Sequence, residues 1–297
     1  MRSITEHASY VVGLIGADIG PSLSPSLHER EAAELGLRYV YERIDIHELG
    51  LAPERVGELL REAQRLGFTG VNVTHPCKQT VVEHLTELSS DAAALGAVNT
   101  VVFDHGNAVG HNTDSPGFQE SIVRGLPEVE MNRVVLLGAG GAGAAVAHAA
   151  MSLGVERLLV ADTDRDRADS PARSLRRRYG ADRASVPARL AAELARADGL
   201  INATPIGMAT HPGAPVPLEL LHDRLWVADV VYRPLETELL RHARRLGCRT
   251  LDGGGMAVFQ AALSFALFTG HKPDHERMLR HFARLAEDAP AAAMRSG

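Results

Sequence analysis

The sequence predicts an α/β protein built from two domains, and three observations carry this prediction. First, apolar runs of strand length alternate with helical patterns along most of the chain, which is typical of βα units. Second, a length of 297 residues suits about two domains. Third, the segment 133–162, RVVLLGAGGAGAAVAHAAMSLGVERLLVAD, places a strand, a glycine-rich turn, an Ala-rich helix and a second strand in that order.

The glycine-rich turn indicates that the second domain binds a dinucleotide. A strand, Val134–Leu137, precedes a G-x-G-x-x-G turn that consists of Gly138, Ala139, Gly140, Gly141, Ala142 and Gly143. The first glycine of this motif permits the tight turn, the second lets the backbone approach a pyrophosphate, and the third lets helix and strand pack closely. The second strand, Leu158–Ala161, ends at Asp162, where a carboxylate can accept hydrogen bonds from a ribose. A packing turn in an unrelated α/β protein is the alternative, but the strand, helix and acid in register favour a Rossmann domain.

The elements before residue 113 predict a separate α/β domain. Its predicted strands are Tyr10–Ile15, Arg38–Ile46, Phe68–Val73 and a hairpin of Ala97–Phe103 with Ala108–Asn112, and its predicted helices are Pro25–Leu35, Pro53–Leu66 and two short helices near Lys78–Leu85 and Ser89–Leu95. Asp104–Asn107 has the composition of the hairpin turn. We predict that residues 1–112, completed by residues 253–297, form this domain.

Residues 113–252 are predicted to form the Rossmann NAD-binding domain, entered through a helix over Asp114–Gly125. The further predicted elements are the strands Gly199–Ala203, Trp226–Val231 and Arg249–Leu251, then the helices Met256–Thr269 and His275–Leu285, which belong to the returning segment. The basic cluster Arg173–Arg178 is interpreted as the solvated face of a helix, and the tail 291–297 is predicted to fray.

Composition and charge exclude several classes of partner. The net charge is −6 with acids and bases mixed, so neither nucleic acid nor an anionic membrane is favoured. The cysteines, Cys77 and Cys248, are too few for a disulfide framework and indicate a reducing compartment. No stretch reaches the length of a membrane span, and Glu6 and His7 precede the first apolar run, unlike a signal peptide. We therefore predict a cytoplasmic protein with a small-molecule substrate and no metal site, and the sequence leaves a homodimer open.

Polar clusters outside the glycine-rich turn are candidates for the chemistry. Ser22 and Ser24 stand in a loop that opens a helix, where both hydroxyls can face one ligand, although helix capping by Ser24 is the alternative. Lys78 is predicted in the first turn of a helix, where the dipole disfavours its charge and favours its use as a proton donor. Asn99 interrupts an apolar strand, and Asp114 follows another. Each is singly more typical of a cap or turn, but together, at the carboxyl ends of strands, they predict a ligand site.

Along nearly its whole length the chain resembles the shikimate dehydrogenase family. The motifs that carry the resemblance are SLSP (Ser22–Pro25), NVTHPCK (Asn72–Lys78), GAVNT (Gly96–Thr100), GHNTD (Gly110–Asp114), GAGGAG, NATPIGM (Asn202–Met208) and GGMAVFQ (Gly254–Gln260). The resemblance implies hydride transfer at C3 of a polyhydroxylated cyclohexene or cyclohexane carboxylate.

The resemblance also implies roles for individual residues, and residues 1–112 would accordingly be the substrate-binding and catalytic domain. Ser22 and Ser24 would hold the carboxylate, Thr74, Asn99, Asp114 and Gln260 would hold ring hydroxyls, and Lys78 would be the acid/base with Asp114 beside it. We place the residues of the glycine-rich turn at the cofactor, together with Asp162, Arg167, Thr204, Val230 and Gly253.

Departures from the family pattern favour one branch of the family. Pro21 stands where the family has His, and His75 and Cys77 stand where it has Val and Phe. The His-Pro pairing and Asp162 resemble the NAD-dependent quinate/shikimate branch more than the NADP-dependent biosynthetic branch. His75 is either a substrate contact or a structural histidine, and Cys77 is interpreted as a packing residue.

The predicted cofactor is NAD, with NADP less favoured. Asp162 would repel a 2′-phosphate, and although Arg165 and Arg167 offer a clamp for one, Asp164 and Asp166 interleave with them. An NADP-dependent shikimate dehydrogenase and an aminoshikimate dehydrogenase are the alternatives within the family. A methylene-tetrahydrofolate dehydrogenase is a further alternative, but it would not need the paired serines or the acid of the Asn-Thr-Asp motif, Asp114. A non-catalytic NAD-sensing or scaffold protein is the alternative from another class, and the intact Lys78 and Asp114 argue against it.

Overall fold

The structure of the protein, a computed structural model, describes residues 9–293, with side chains described as far as residue 287. The segment with Glu6 and His7, and the end of the tail predicted to fray, lie outside the described residues. The chain divides into two compact units. The first runs to Thr113 and takes up the chain again over Ala261–Leu285, and the second covers Asp114–Gln260 with the described residues from Ala286. The first boundary lies one residue beyond the predicted position, and the second lies within a helix rather than at Gly253.

The first unit contains a mixed sheet. Its strands and helices are β1 (Ser9–Gly16), α1 (Ser24–Glu34), β2 (Arg38–Asp45), α2 (Val56–Arg65), β3 (Gly70–Val73), β4 (Glu87–Leu88), α3 (Ser90–Leu95), β5 (Thr100–Asp104) and β6 (Asn107–His111), with 3-10 turns at Pro53–Arg55 and Thr80–His84. The strand order is β2-β1-β3-β5-β6-β4. β1 runs parallel to β2 and β3, whereas β5 runs antiparallel to β3 and β6. The predicted hairpin is confirmed. His105 and Gly106 have φ of 45° and 88°, and a two-residue type I′ turn requires a positive φ at both central residues.

The second unit contains an all-parallel sheet. Its elements are α4 (Asp114–Gly125), β7 (Arg133–Leu137), α5 (Gly141–Ser152), β8 (Arg157–Ala161), α6 (Arg165–Tyr179), β9 (Ala184–Ser185), α7 (Leu190–Leu194), β10 (Gly199–Asn202), β11 (Trp226–Asp229), α8 (Glu238–Arg245) and β12 (Arg249–Leu251), with a 3-10 turn at Leu218–Leu220. Two more helices follow in the chain, α9 (Gly254–Thr269) and α10 (His275–Ala293). The strand order β12-β11-β10-β7-β8-β9 is the Rossmann order, so the predicted fold is confirmed.

Burial on both faces explains the apolar strands of the second unit. Along β7, Val134 and Leu136 pack into one buried cluster, while Val135 and Leu137 pack into another. Because helices cover both faces of a parallel sheet, such a strand is a continuous apolar run rather than an alternating one. The predicted helical face at Arg173–Arg178 lies in the C-terminal half of α6, with Arg177 and Arg178 exposed.

The predicted short helix from about Lys78 to Leu85 is present as a 3-10 helix over Thr80–His84, and its predicted start at Lys78 is wrong. Residues 75–79 form turns, and the 3-10 turn begins only at Thr80. The carbonyl of Lys78 accepts a hydrogen bond from the backbone N–H of Val98 at 2.8 Å, so this carbonyl is bonded to a distant segment instead of a helical turn. The helix-dipole argument for Lys78 therefore has no basis in the structure.

Candidate active site

The predicted substrate residues of the first unit lie along one edge of its sheet. β1 and β3 end at this edge, because Ile15 pairs with Val73. β5 begins there and β6 ends there, because Thr100 pairs with both Asn72 and His111. One expectation needs correction: Asn99 lies just before β5, at the start of an antiparallel strand, and does not interrupt a strand or follow a carboxyl end. It reaches the same edge because β5 runs the opposite way.

Hydrogen bonds fix the side chain of Asn99, which is 3 % exposed. Its Oδ1 accepts from the backbone N–H of Thr113 at 2.8 Å and from the hydroxyl of Thr100 at 3.0 Å. Its Nδ2 donates to Oγ1 of Thr113 at 2.9 Å. Asn99 thus binds the end of the segment that leads into Asp114.

A second buried amide, Asn72, supports this arrangement and was missed from the sequence. Its Nδ2 donates to Oγ1 of Thr100 at 3.0 Å and to the carbonyl of Asn99 at 3.2 Å. The hydroxyl of Tyr41 donates to Oδ1 of Asn72 at 2.8 Å. The available signal was a polar residue within the otherwise apolar strand GVNV.

The loop between β1 and α1 carries Ser22, leads into Ser24 at the first position of α1, and is held by Asp45. The carboxylate of Asp45 accepts from the backbone N–H groups of Ile19 (2.8 Å), His47 (3.0 Å) and Asp18 (3.1 Å). Burial raises the pKa of Asp45, but these backbone donors outweigh burial and hold it below its ordinary value. The loop is therefore fixed by an ionised carboxylate at neutral pH.

The serines themselves are half-buried, and neither caps α1 with its side chain. The N-cap position is Leu23, which makes no side-chain cap hydrogen bond, so the capping alternative for Ser24 is wrong. Ser22 Oγ accepts from the backbone N–H of Ser24 at 3.3 Å. Its hydroxyl proton therefore remains free of that bond and can be donated to a ligand.

The turn after β3 carries Thr74, His75, Cys77 and Lys78. The backbone N–H of Thr74 donates to the carbonyl of Ile15 at 2.9 Å, which fastens the turn to the end of β1. Lys78 is half-buried and His75 is exposed. Cys77 is fully buried in an apolar cluster, and burial raises the pKa of its thiol to about 11, so its interpretation as a packing residue is confirmed.

Asp114 and Gln260, the remaining predicted substrate residues, belong to the second unit. Asp114 is the first residue of α4 and is 5 % exposed. Gln260 is half-buried on α9, where its Nε2 donates to the carbonyl of Ala257 at 3.0 Å. The proposed pairing of Asp114 with Lys78 stays a prediction.

Most of the predicted cofactor residues follow the carboxyl ends of neighbouring parallel strands. In strand order from β12 to β8 they are Gly253, Val230, Thr204, the turn from Gly138 to Gly143, and Asp162. Neighbouring positions are in contact: a Cβ added at Gly138 would lie 2.9 Å from the N of Thr204, and one at Gly253 would lie 2.3 Å from the O of Val230. This edge is where doubly wound sheets bind their ligands. Arg167 is exposed on the first turn of α6.

The glycine-rich turn fits a pyrophosphate. Gly138 has φ of +93°, and a Cβ at Gly143 would lie 2.1 Å from the carbonyl oxygen of Gly138, so the protein's own packing requires both. Gly140 is different, because a Cβ there would meet no protein atom beyond its two chain neighbours within 4 Å. The open space lies at the N-terminus of α5, where backbone N–H groups favour an anion.

Asp162 contacts the turn directly. Its Oδ2 accepts from the backbone N–H of Ala139 at 2.8 Å, and its Oδ1 accepts from the N–H of Asp164 at 3.0 Å. Partial burial raises the pKa of Asp162, but the two backbone donors and then Arg167 outweigh it and hold the pKa below its ordinary value. The carboxylate is therefore ionised at neutral pH and fixes the turn.

A group of buried polar residues at the carboxyl ends of the parallel strands was also missed in the sequence analysis. Asn202 and Asp229 end β10 and β11, and Thr237 is the N-cap of α8. All three are at most 2 % exposed. The signal was again a polar residue ending an apolar strand, as in GLIN and WVAD.

The features of the two units indicate a class of protein. A Rossmann sheet with an open glycine turn, in one chain with a sheet edge that carries lysine, threonine and asparagine, is typical of a dinucleotide-dependent oxidoreductase. The described residues contain no group of three or more His, Cys, Asp or Glu side chains that could hold a metal ion, and no helix in that part of the chain is long and apolar enough to cross a membrane.

Comparisons with known proteins identify the family. Residues 14–101 match the family described as "Shikimate dehydrogenase substrate binding domain", and residues 253–281 match "Shikimate 5'-dehydrogenase C-terminal domain". A Streptomyces avermitilis protein named "Shikimate dehydrogenase (NADP(+))" is 62% identical over 95% of this chain and 97% of its own length. The chain belongs to the shikimate dehydrogenase family and is an alcohol oxidoreductase.

Relatives with another name are also similar. A Corynebacterium efficiens protein named "Quinate/shikimate dehydrogenase (NAD(+))" is 48% identical over 94% of this chain and 99% of its own length. The solved structure of "Quinate dehydrogenase from Corynebacterium glutamicum in complex with NAD" superposes with a TM-score of 0.87 at 45% identity, covering 93% of this chain and 99% of that one. Similarity therefore supports both branches of the family.

Proposed function

We propose that the protein is an NAD-dependent quinate/shikimate dehydrogenase that transfers hydride reversibly at C3 of shikimate or quinate. The observation that carries the choice of NAD is Asp162, an ionised carboxylate at the end of β8, whose Oδ2 lies 2.8 Å from the N of Ala139 in the glycine turn. The names of the relatives support the substrates and support NAD and NADP alike.

The residues of the first unit would bind the substrate and move its proton. Ser22 and Ser24 donate hydrogen bonds to the carboxylate, while Thr74 and Asn99 hold ring hydroxyls together with Gln260. When the bound dinucleotide accepts hydride from C3, the hydroxyl at C3 must lose its proton. Lys78 Nζ takes that proton in oxidation and returns it in reduction.

Asp114 completes the proposed acid/base group. Its carboxylate orients both the reacting hydroxyl and the ammonium of Lys78. The segment before Asp114 is held firmly, because Thr113 donates its backbone N–H to the fixed side chain of Asn99.

Electrostatics at the end of β8 disfavour a 2′-phosphate. Two unit charges about 4 Å apart repel by roughly 4 kcal/mol at an effective dielectric near 20, and about a quarter of that gives a several-fold preference. The N-terminus of α6, which could otherwise attract a phosphate, is already occupied: Asp164 Oδ1 accepts from the N–H groups of Asp166 (3.0 Å) and Arg167 (3.2 Å).

An NADP-dependent shikimate dehydrogenase is the second candidate. Arg165 and Arg167 are exposed on the first turn of α6, near Asp162 in the sequence, and they could hold a 2′-phosphate. The 62% identical relative carries the NADP name.

The deciding experiment compares kcat/KM of the purified protein for shikimate and quinate, each with NAD⁺ and NADP⁺. We expect NAD⁺ to be preferred and Asp162→Ala to reduce this preference several-fold. Because Asp162 also binds the N–H of Ala139, the variant should weaken binding of both dinucleotides, so the ratio of the two constants is the measurement. Asp182→Ala, which removes an exposed acid of the same unit, is the matched control. An NADP⁺ preference of the wild type, or an unchanged ratio in Asp162→Ala, would overturn the assignment.

Substrate binding should depend on Ser24. Quinate has an additional hydroxyl at C1 beside the carboxylate, and the small serine side chains leave room for it, so we expect turnover of both substrates with shikimate favoured. Ser24→Ala should raise KM for either substrate by about five- to tenfold and change kcat less, since one hydrogen bond made in both ground and transition states is lost. Ser26→Ala, two residues further along α1, is the matched control. Equal losses in kcat and kcat/KM would instead assign Ser24 a role in the transition state.

A further inference from the structure

Asp229, at the end of β11, is a buried carboxylate whose two oxygens bind three separate segments of the second unit. Its Oδ1 accepts from the backbone N–H of Val231 at 3.0 Å and from Nδ2 of Asn202 at 2.9 Å. Its Oδ2 accepts from the hydroxyl of Thr237 at 2.8 Å. Asp229 is 2 % exposed, so these protein donors take the place of water.

Asn202 transmits this contact to the turn after β10. Its Nδ2, which donates to Asp229, also donates to the carbonyl of Ile206 at 3.0 Å. Its Oδ1 accepts from the hydroxyl of Thr204 at 2.7 Å and from the backbone N–H of Thr204 at 3.0 Å. The orientation of Thr204 is therefore set by an amide that Asp229 itself orients.

The same carboxylate sets the turn after β11. Val230 stands between Asp229 and Val231, and its N–H donates to the carbonyl of Asn202 at 2.9 Å. Gly207, in the turn after β10, packs tightly against Thr237: a Cβ added at Gly207 would lie 3.2 Å from Cγ2 of Thr237. One buried group thus holds both turns that carry predicted cofactor contacts.

We propose that Asp229 is a positioning residue for the dinucleotide, acting through Asn202 on Thr204 and through Val231 on Val230. The proposal rests on the proposed function, which places Thr204 and Val230 at the cofactor. Asp229 does not itself touch the reacting atoms.

The ionisation of Asp229 gives this role a distinctive signature. Burial raises the pKa of Asp229 to about 6, against the opposing donors Val231, Thr237 and Asn202, and Asp252 adds to the rise. Below this pKa the carboxyl is neutral, so its hydrogen bonds to Asn202 and Val231 lose their charge assistance. The dissociation constant of the dinucleotide should therefore increase as the pH falls through about 6.

Other titratable groups near this network must be separated from Asp229. Asp252 lies after β12, and Tyr232 and Arg233 follow Val231 in the chain. The exposed His211 belongs to the turn after β10, where its carbonyl accepts from the N–H of Gly207. All of them remain in a variant changed only at position 229, which makes that variant the control for their titration.

The experiment is titration of the full chain with NAD⁺ and with NADP⁺, in the absence of substrate and over a range of pH. Asp229→Asn mimics the neutral carboxyl, because its amide can donate to Thr237 and its oxygen can still accept. At neutral pH we expect a dissociation constant about tenfold higher than that of the wild type for both dinucleotides. We also expect the variant to lose the wild-type increase at low pH, while KM for shikimate changes less than twofold. A residue that merely maintained the fold would not alter the pH profile of binding.

A second pair of variants decides the case if Asp229→Asn does not fold. Thr237→Val removes the donor to Oδ2 of Asp229, whereas Thr237→Ser keeps it along with the cap of α8, in which Thr237 Oγ1 accepts from the N–H of Leu240 at 3.2 Å. We expect weaker dinucleotide binding in Thr237→Val and near-normal binding in Thr237→Ser. Wild-type affinity and pH profile in Asp229→Asn, or wild-type affinity in Thr237→Val, would overturn the proposal. The wild type's preference between the dinucleotides reports separately on the proposed function.

Discussion

Lys78→Ala is expected to lower kcat for shikimate oxidation by about 10²–10⁴-fold, the usual contribution of a positioned general acid–base group. Alanine cannot take the proton of the C3 hydroxyl, so hydride transfer would leave that proton without an acceptor. The dissociation constant of NAD⁺ should stay unchanged, because the predicted cofactor residues belong to the second unit. Steady-state kinetics and a dinucleotide titration together check the result.

The fold should survive this substitution. The backbone carbonyl of Lys78 accepts a hydrogen bond from the N–H of Val98 at 2.8 Å, and alanine retains this contact. Lys272→Ala is the matched control, because Lys272 is the other lysine of the chain and is exposed. Near-normal turnover of Lys78→Ala would remove Lys78 from the acid/base role.

Local patterns of the sequence were sufficient for most of the fold. The apolar runs of β7 and β8 and the glycines between them are strong signals because strand burial and turn conformation depend on adjacent residues. The start of the helix predicted from Lys78 to Leu85 was wrong for the opposite reason, because it depends on a distant residue. The hydrogen bond from Val98 to Lys78 joins residues from separate segments, and no local pattern records such a bond.

The candidate site shows the same division. Ser22, Lys78 and Asn99 stand out because polar motifs interrupt apolar patterns at the ends of predicted strands. Asn72 and Asp229 were missed, because their meaning depends on partners in other strands: Asn72 binds Thr100, and Asp229 binds Asn202. A polar residue in a buried strand must find such a partner, but the sequence alone does not say which one.

Gly140→Ala is expected to weaken dinucleotide binding by on the order of 10²-fold, since about two charge-assisted hydrogen bonds to the pyrophosphate would be lost. The physical reason is the open space at Gly140, where an added Cβ would meet no protein atom beyond its chain neighbours within 4 Å and would project into the volume that we assign to the pyrophosphate. The backbone is no obstacle, because φ is −71° at this N-cap position. Titration with NAD⁺ measures the loss of binding, and thermal unfolding should show almost no change in Tm.

Gly143→Ala is the matched control, with the opposite balance of effects. Its Cβ would lie 2.1 Å from the carbonyl oxygen of Gly138, so α5 must move away from the turn and Tm should fall. The comparison separates the two explanations of a glycine-rich turn, one based on ligand approach and one on packing alone. Equal losses of Tm in both variants, with unchanged NAD⁺ binding in Gly140→Ala, would show that the glycines serve packing alone. That result would contradict the assignment of the turn to the pyrophosphate.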